Sequence, residues 1–205
     1  MPRTIVTASM VSLLLAACGG GSSQKPTSGA DCATYCGYMD TTCVGSDTQY
    51  GGLTGTCASY CGTTNVWPAG NGGDGRGNSL ACRITHAILA VQSTTTADRS
   101  AHCGHAGPSG GDVCGTWCEN YCFLALKNCT GANGAGLGFT DQATCLAACA
   151  NFPDTGAINA PGGNTVQCRI YHAGAASAAP VPHCGHAQVI SSSTVGGTTA
   201  DGPCN

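Results

Sequence analysis

The sequence predicts a small, disulfide-rich, mainly α-helical protein with long loops, a tandem duplication of an eight-cysteine, three-helix unit. Three features of the 205 residues support this fold class. Cysteine occurs 17 times, a frequency typical of disulfide scaffolds in exported chains. Aromatic residues make up only 5% of the chain, so few large side chains exist to fill an apolar core. The cysteines also occur in the same order twice along the chain.

Composition excludes several classes of protein. Charged residues make up 8% of the chain, against about 25% in an average soluble domain. The net charge of −3 excludes the basic surface that holds a nucleic-acid backbone. The chain lacks Gly-x-Ser-x-Gly, His-Glu-x-x-His and a phosphate-binding glycine-rich loop. We therefore expect no nucleic-acid partner, and no sequence motif indicates an enzymatic activity, although a small secreted enzyme that uses the histidines is a further alternative.

The N-terminal residues have the pattern of a targeting segment. Residues 5–15 are largely apolar and end in the motif Leu15-Ala16-Ala17-Cys18. This motif resembles the lipobox of bacterial lipoprotein signal peptides. The resemblance implies that residues 1–17 are a signal peptide and that Cys18 carries acyl chains such as palmitate. Residues 18–30 are then a lipidated flexible tether, since they are small and polar.

The same resemblance implies a location. The acyl chains on Cys18 would make the lipid bilayer a partner of the protein. Gly19 follows Cys18, whereas an Asp at that position usually signals retention in the inner membrane of two-membrane bacteria. We therefore expect a lipid-anchored protein at the outer membrane or cell surface of a bacterium. The alternative is an ordinary secretory signal with an incidental cysteine.

The remaining 16 cysteines divide into two sets of eight, in repeats predicted at residues 31–115 and 116–205. Both sets open with C-x3-C-x6-C and continue with C-x3-C. Both repeats then contain Asn-[Ser/Thr]-x-x-Cys-Arg-Ile-x-His-Ala and, further on, His-Cys-Gly-His-Ala. The sets are Cys32, Cys36, Cys43, Cys57, Cys61, Cys82, Cys103, Cys114 and Cys118, Cys122, Cys129, Cys145, Cys149, Cys168, Cys184, Cys204. These shared blocks indicate an internal duplication.

Helical periodicity predicts three helices in each repeat. Cys118, Cys122 and Cys129 fall within about 40° of one another on a helical projection, which gives one narrow stripe. Thr140 is predicted to cap the second helix of its repeat, and Asn78 and Asn164 to cap the third helices. The remaining glycine-, proline- and serine-rich segments are predicted loops.

Eight disulfides, four in each repeat, are the expected state of the cysteines in an oxidising compartment. Antiparallel packing of the first two helices places Cys122 about 10 Å and Cys149 about 12 Å from their connection. This estimate predicts a Cys122–Cys149 bridge and, in the first repeat, a Cys36–Cys61 bridge. The other pairings stay open, because eight cysteines allow 105 connectivities. A bridge between the repeats is the alternative.

The histidines are the candidate chemistry of this chain. All six lie in the repeated blocks: His86, His102, His105, His172, His183 and His186. Imidazole binds zinc and copper, so three histidines in each repeat are a candidate metal site. A Cys82–Cys103 bridge would bring His86 towards the histidines of the second block. The alternatives are hydrogen bonds to loop carbonyls, haem ligation or a pH-sensing contact.

Two interpretations of function follow from these features. The first is a membrane-anchored extracytoplasmic lipoprotein with a structural or binding role, without a cofactor and with an unknown protein or glycan partner. The alternative is a copper- or zinc-binding protein that uses three histidines in each repeat. Arg83 and Arg169 also recur in both repeats. Their guanidinium groups are expected to bind loop carbonyls, with an anion contact as the alternative.

Lipidation at Cys18 is testable in a bacterial expression host. We expect the mature protein to begin at Cys18 and to partition into the detergent phase of a phase separation. Cys18→Ala should release the protein or stop its processing, because the thiol is the site of acylation. N-terminal sequencing that finds a mature protein starting at another residue would contradict the prediction.

Overall fold

The computed structural model describes residues 30–50, 56–64, 67–190, 192–195 and 198–205. The predicted signal peptide and the predicted tether, with Cys18, lie outside the described residues, except for Ala30. The repeat boundaries at 31–115 and 116–205 stay predictions.

Eight α-helices and one short hairpin form the described part of the chain. The first repeat contains α1 (Cys32–Thr42), α2 (Cys57–Thr64), α3 (Leu80–Gln92) and α4 (Thr96–Ala106). The second contains α5 (Trp117–Asn128), α6 (Gln142–Cys149), α7 (Val166–Ala175) and α8 (Pro180–His186). Antiparallel strands β1 (Ser192–Val195) and β2 (Thr198–Asp201) follow. The prediction of a small, disulfide-rich, mainly α-helical fold is confirmed.

The described residues of each repeat contain four α-helices, whereas the sequence predicted three. The additional helices, α4 and α8, carry the His-Cys-Gly-His-Ala blocks. In α4 the Thr95 hydroxyl caps the helix by accepting a hydrogen bond from the Asp98 amide at 3.1 Å. Pro180 stands at the start of α8, a position where proline is tolerated. Glycine within both blocks, and proline before the block of α8, have low helix propensity, which obscured these helices in the sequence pattern.

The third helix of each repeat begins one residue later than predicted. Ser79 and Thr165 are the caps, and their hydroxyls accept from the amides three residues ahead at 3.1 and 3.3 Å. Asn78 and Asn164, the predicted caps, instead accept hydrogen bonds from the buried arginines. The cap of α6 is likewise Asp141 and not Thr140. In each case the helix is capped by the polar residue that follows the predicted cap.

Each of the eight disulfides joins two cysteines of the same set, as predicted, and none joins the two sets. Cα–Cα distances of 5.5–5.7 Å are those of ordinary disulfides. The pairs are Cys32–Cys61, Cys36–Cys57, Cys43–Cys103, Cys82–Cys114, Cys118–Cys149, Cys122–Cys145, Cys129–Cys184 and Cys168–Cys204. Corresponding cysteines pair in the same way in both repeats, so the duplication extends to the connectivity.

The predicted Cys122–Cys149 bridge is wrong. Cys118 and Cys122 are one turn apart on α5, and Cys145 and Cys149 are one turn apart on α6. A Cys122–Cys149 bridge between antiparallel helices would leave the other two cysteines about 12 Å apart along the helix axes. The observed pairing shifts α6 by one turn and closes both bridges.

The predicted Cys36–Cys61 bridge is wrong for the same reason. Cys36 pairs with Cys57, and Cys61 pairs with Cys32. The estimate from helical rise assumed that the ends of the two helices are level. In the second repeat the connection contains a 3-10 helix at Gly131–Gly134 and reaches α6 only at Gln142, so the ends are not level.

Arg83 and Arg169 are buried, and their guanidinium groups bind backbone carbonyls, as expected. The guanidinium of Arg83 donates to the carbonyls of Ser79, Gly107 and Pro108. It also donates to Asn120, on α5 of the second repeat, at 2.6 Å. Arg169 donates to the carbonyls of Thr165, Gln188 and Val189. Each guanidinium lies 4.1 Å from the centre of an aromatic ring, Trp67 or Phe152. None of the described partners of these two arginines is a carboxylate.

None of the described helices has both the length and the apolar character needed to cross a bilayer.

The disulfide pairing can be tested with double variants and a count of free thiols. Cys118→Ser/Cys149→Ser removes one observed bridge, so the denatured protein should contain no alkylatable thiol. Cys122→Ser/Cys149→Ser removes one cysteine from each of two bridges. We expect two alkylatable thiols there, because Cys118 and Cys145 are too far apart to pair. Equal thiol counts in the two variants would contradict the observed connectivity.

Candidate metal centres

The structure brings all six histidines into two triads, one in each repeat. Each triad lies where the third helix of a repeat packs against the fourth. The first triad is His86 on α3 with His102 and His105 on α4, and the second is His172 on α7 with His183 and His186 on α8. In each triad, one nitrogen from each ring lies within 4.8 Å of the other two.

The first triad centres on His86. Its Nδ1 atom lies 3.0 Å from Nδ1 of His102. The ring of His105 packs edge-on against His86, with ring centres 4.9 Å apart. His86 is buried and the other two rings are half-buried. The three rings therefore meet at a partly buried position between α3 and α4.

The second triad repeats this arrangement around His172. Its Nδ1 atom lies 2.9 Å from Nδ1 of His183 and 3.4 Å from Nδ1 of His186. His183 stacks on His172, and His186 meets it edge-on, as His105 meets His86. His172 and His183 are buried. Both copies of the motif thus bring three imidazoles together around the Nδ1 atom of the central histidine.

A backbone carbonyl fixes the tautomer of the central histidine in each triad. Nε2 of His86 lies 3.1 Å from the carbonyl oxygen of Gly75, and Nε2 of His172 lies 3.0 Å from that of Pro161. A carbonyl oxygen only accepts, so in the neutral ring Nε2 carries the proton. The lone pair of Nδ1 then points towards the other two histidines. This is the arrangement in which a histidine binds a metal through one nitrogen and donates from the other.

The fourth helix of each repeat is held at both ends of its histidine block. Cys103 of α4 is bridged to Cys43 at the end of α1. The hydroxyl of Tyr35 donates to the carbonyl of Ala106 at 2.6 Å. In the second repeat, Cys129–Cys184 and the hydrogen bond from Tyr121 to Ala187 hold α8 in the same way. These contacts fix two histidines of each triad relative to the first helix.

The proposed route by which the first triad assembles was wrong, although its histidines do converge. Cys82 pairs with Cys114 and not with Cys103. The convergence comes from the packing of α3 on α4, and Cys82–Cys114 anchors the third helix to the segment that follows α4. Sulfur atoms of Cys82–Cys114 lie near His86, and those of Cys168–Cys204 lie near His172. Because these sulfurs are in disulfides, they are not thiolate ligands.

Burial favours the neutral form of the triad histidines. Desolvation lowers the pKa of His105 and that of His172 to about 4, against an ordinary value of 6.5, and neighbouring charges add to the shift. Desolvation also lowers the pKa of His86, His183 and His186. Neutral imidazole is the form that coordinates metals.

One nitrogen of the first triad lacks a partner. Nδ1 of His105 is buried and has no hydrogen-bond partner within the described chain. Buried polar atoms without a partner are uncommon, because each loses its hydration without compensation. An ion bound between the three rings would supply the missing interaction.

The carbonyls of Gly75 and Pro161 are the site atoms that the sequence analysis missed. Each lies 11 residues before the histidine it binds. Identical spacing in loops of otherwise different sequence was the available signal. The difference between the two loops obscures this equivalence, since one is glycine-rich and the other contains Pro161-Gly162-Gly163.

The comparisons with known proteins concern mainly the first repeat. Residues 21–117 match the model of the BfoA family C-terminal domain. The matched segment is just under half of the chain and includes all eight cysteines and all three histidines of the first repeat. No curated protein and no solved structure matches the chain.

The lowered pKa values make the stability of the metal-free protein dependent on pH. Well above pH 6.5 the five histidines with a lowered pKa are neutral in both the folded and unfolded states. As the pH falls towards 4, the unfolded chain binds protons that the folded triads resist, so the free energy of unfolding should decrease. Thermal melting in the presence of a chelator, between pH 7 and pH 5, should show this decrease.

A double variant provides the control for this pH dependence. His86→Gln/His172→Gln removes the central histidine of each triad and keeps a side chain that can donate to the same carbonyl. Its melting temperature should change less between pH 7 and pH 5 than that of the parent protein. The same slope in both proteins would show that the triads do not cause the pH dependence.

Proposed function

We propose that this protein is an exported, lipid-anchored metal-binding protein that holds one zinc or copper ion in each histidine triad. The observation that carries the proposal is the convergence of three histidines in both repeats, centred on a Nδ1 atom whose lone pair faces the other rings. The structure itself shows a disulfide-rich helical protein with histidine groups that could hold a metal ion. The identity of the ion and the anchoring belong to the proposal.

The distances support coordination by nitrogen. A tetrahedral zinc with Zn–N bonds of about 2.0–2.1 Å places its nitrogen ligands about 3.3 Å apart. The Nδ1 separations in the triads are 2.9, 3.0 and 3.4 Å. Small movements of the imidazole rings of α4 and α8 would therefore admit the ion. Three protein ligands leave a fourth position open, as in zinc sites that bind water or a further ligand.

Ligand chemistry narrows the choice of ion. Imidazole suits zinc, copper and nickel, whereas calcium and magnesium require oxygen ligands. The triads contain no carboxylate, and the nearby cysteines are oxidised. The absence of thiolate and thioether ligands from the triads favours Zn²⁺ and Cu²⁺ over Cu⁺.

The expected location supports a role in handling metal outside the cytoplasm. The many disulfides indicate an oxidising compartment, where thiolate sites are lost and histidine sites persist. The lipobox motif supports attachment of Cys18 to the bilayer, at the outer membrane or the cell surface of a bacterium. The protein or glycan partner that this location would provide is part of the same proposal.

A structural role is the second candidate, and one observation favours it. The distances of 2.9 and 3.0 Å between Nδ1 atoms also suit hydrogen bonds, in which the second histidine donates to the central one. In that case the triads would tie α3 to α4 and α7 to α8 without any ion. The metal-free protein would then lose about 1–3 kcal/mol of stability when a central histidine is removed.

Metal content separates these two candidates. The full chain, purified without a histidine tag and dialysed against zinc or copper, should retain two ions. His86→Ala and His172→Ala should each retain one ion, because two histidines are too few fixed ligands. Elemental analysis with native mass spectrometry measures the stoichiometry and shows which variant has lost an ion.

A variant on the same helix serves as the control. Val91 is exposed on α3 and lies about 140° around the helix from His86, so Val91→Ala should keep two ions. If the parent protein retains no ion after dialysis, and the histidine variants merely melt at lower temperature, the structural role is correct and the metal proposal is wrong.

A further inference from the structure

The loops that hold the two triads differ by one charged residue. The carbonyls of Gly75 and Pro161 occupy equivalent positions, which makes Arg76 the counterpart of Gly162. The next residue is glycine in both loops, and its amide donates to a carbonyl near the end of the repeat, Val113 or Pro203. The two triads are thus built alike, but only the first has a guanidinium in this position.

Arg76 is close enough to act on the first triad. It follows Gly75, whose carbonyl oxygen is 3.1 Å from Nε2 of His86. Gly162, at the equivalent position beside the second triad, has no side chain and no charge. Arg76 is exposed, so its side chain is free to turn towards a ligand at the triad.

A positive side chain at this position opposes the binding of a metal ion alone. Three neutral imidazoles leave the two positive charges of a divalent ion uncompensated, and Arg76 adds a further repulsion. An anion in the fourth coordination position compensates the charge of the ion and also attracts the guanidinium of Arg76. A planar oxyanion is well suited, because one oxygen binds the ion while another accepts from the guanidinium fork.

We infer that the first triad binds its metal ion together with a small planar oxyanion, a carboxylate or carbonate, which Arg76 holds in the fourth coordination position. The second triad, with Gly162, takes water or hydroxide there. The inference rests on the proposed metal-binding function. It makes the two sites different in ligand requirement although their histidines are arranged alike.

The experiment isolates each site in the full-length protein loaded with Cu²⁺. His172→Ala leaves the first triad alone, and His86→Ala leaves the second alone. Acetate and bicarbonate are titrated separately while the copper absorption band and the electron paramagnetic resonance spectrum are recorded. The first triad should bind at least one of these anions at least tenfold more tightly than the second. If the response to bicarbonate is the larger, carbonate is the ligand. If acetate and bicarbonate give similar responses, the ligand belongs to the carboxylate class.

Reciprocal substitutions at the equivalent position provide matched controls. Arg76→Gly should reduce anion affinity at the first triad to that of the second. Gly162→Arg should raise it at the second triad. A side chain is tolerated there, because a Cβ atom at Gly162 would lie 3.7 Å from the nearest atom, the carbonyl oxygen of Pro203. Arg76→Lys should give an intermediate affinity, because lysine keeps the charge and loses the fork.

Two results would overturn the inference in distinguishable ways. If Arg76→Gly tightens copper binding equally with and without anion, Arg76 acts only by repulsion, and this inference fails while the metal-binding function stands. If neither triad binds copper, the proposed function fails and the inference fails with it.

Discussion

Disulfides between short helices are the constraint on which the rest of this structure depends. The described helices have 7 to 13 residues, and isolated helices below about 12–15 residues are marginal in water. Alanine, glycine and cysteine supply much of the buried surface, so apolar burial alone contributes little per helix. Cross-links restrict the unfolded chain and hold the helices in register. Because both cysteines of each C-x3-C pair are bridged, the first two helices of a repeat are also prevented from sliding along each other.

The histidine triads are a product of this scaffold. One bridge holds the third helix of each repeat to the segment that ends the repeat, and another holds the fourth helix to the first. The tyrosine within the first C-x3-C pair fixes the end of the fourth helix, and the buried arginine of the third helix holds the segment that follows. The imidazoles are therefore positioned before any ligand arrives, which reduces the entropy lost on binding.

The sequence predicted which parts this fold contains better than it predicted how those parts are arranged. The cysteine count, the duplication and the convergence of the histidines follow from repetition, which is visible in one chain. The pairing of Cys36 and Cys122 was missed because helical rise gives a position along an axis but not the offset between two helices. The fourth helix was missed because glycine and proline lower its propensity, although a disulfide and a tyrosine hydroxyl hold it in place. The carbonyls of Gly75 and Pro161 were missed because backbone atoms have no signature in side-chain identity.

The hydrogen bond from Arg83 to Asn120 makes the two copies unequal partners. Arg169 finds all its described acceptors within the second repeat, whereas Arg83 takes one of its acceptors from α5. A chain cut before Asn120 would leave a buried guanidinium N–H without its acceptor, at a cost of about 1–3 kcal/mol. The first repeat thus depends on the second for an acceptor of its buried arginine, whereas the buried arginine of the second repeat has no such dependence on the first. Exchanging the order of the copies would therefore not give an equivalent protein, even though their cysteines and histidines correspond one to one.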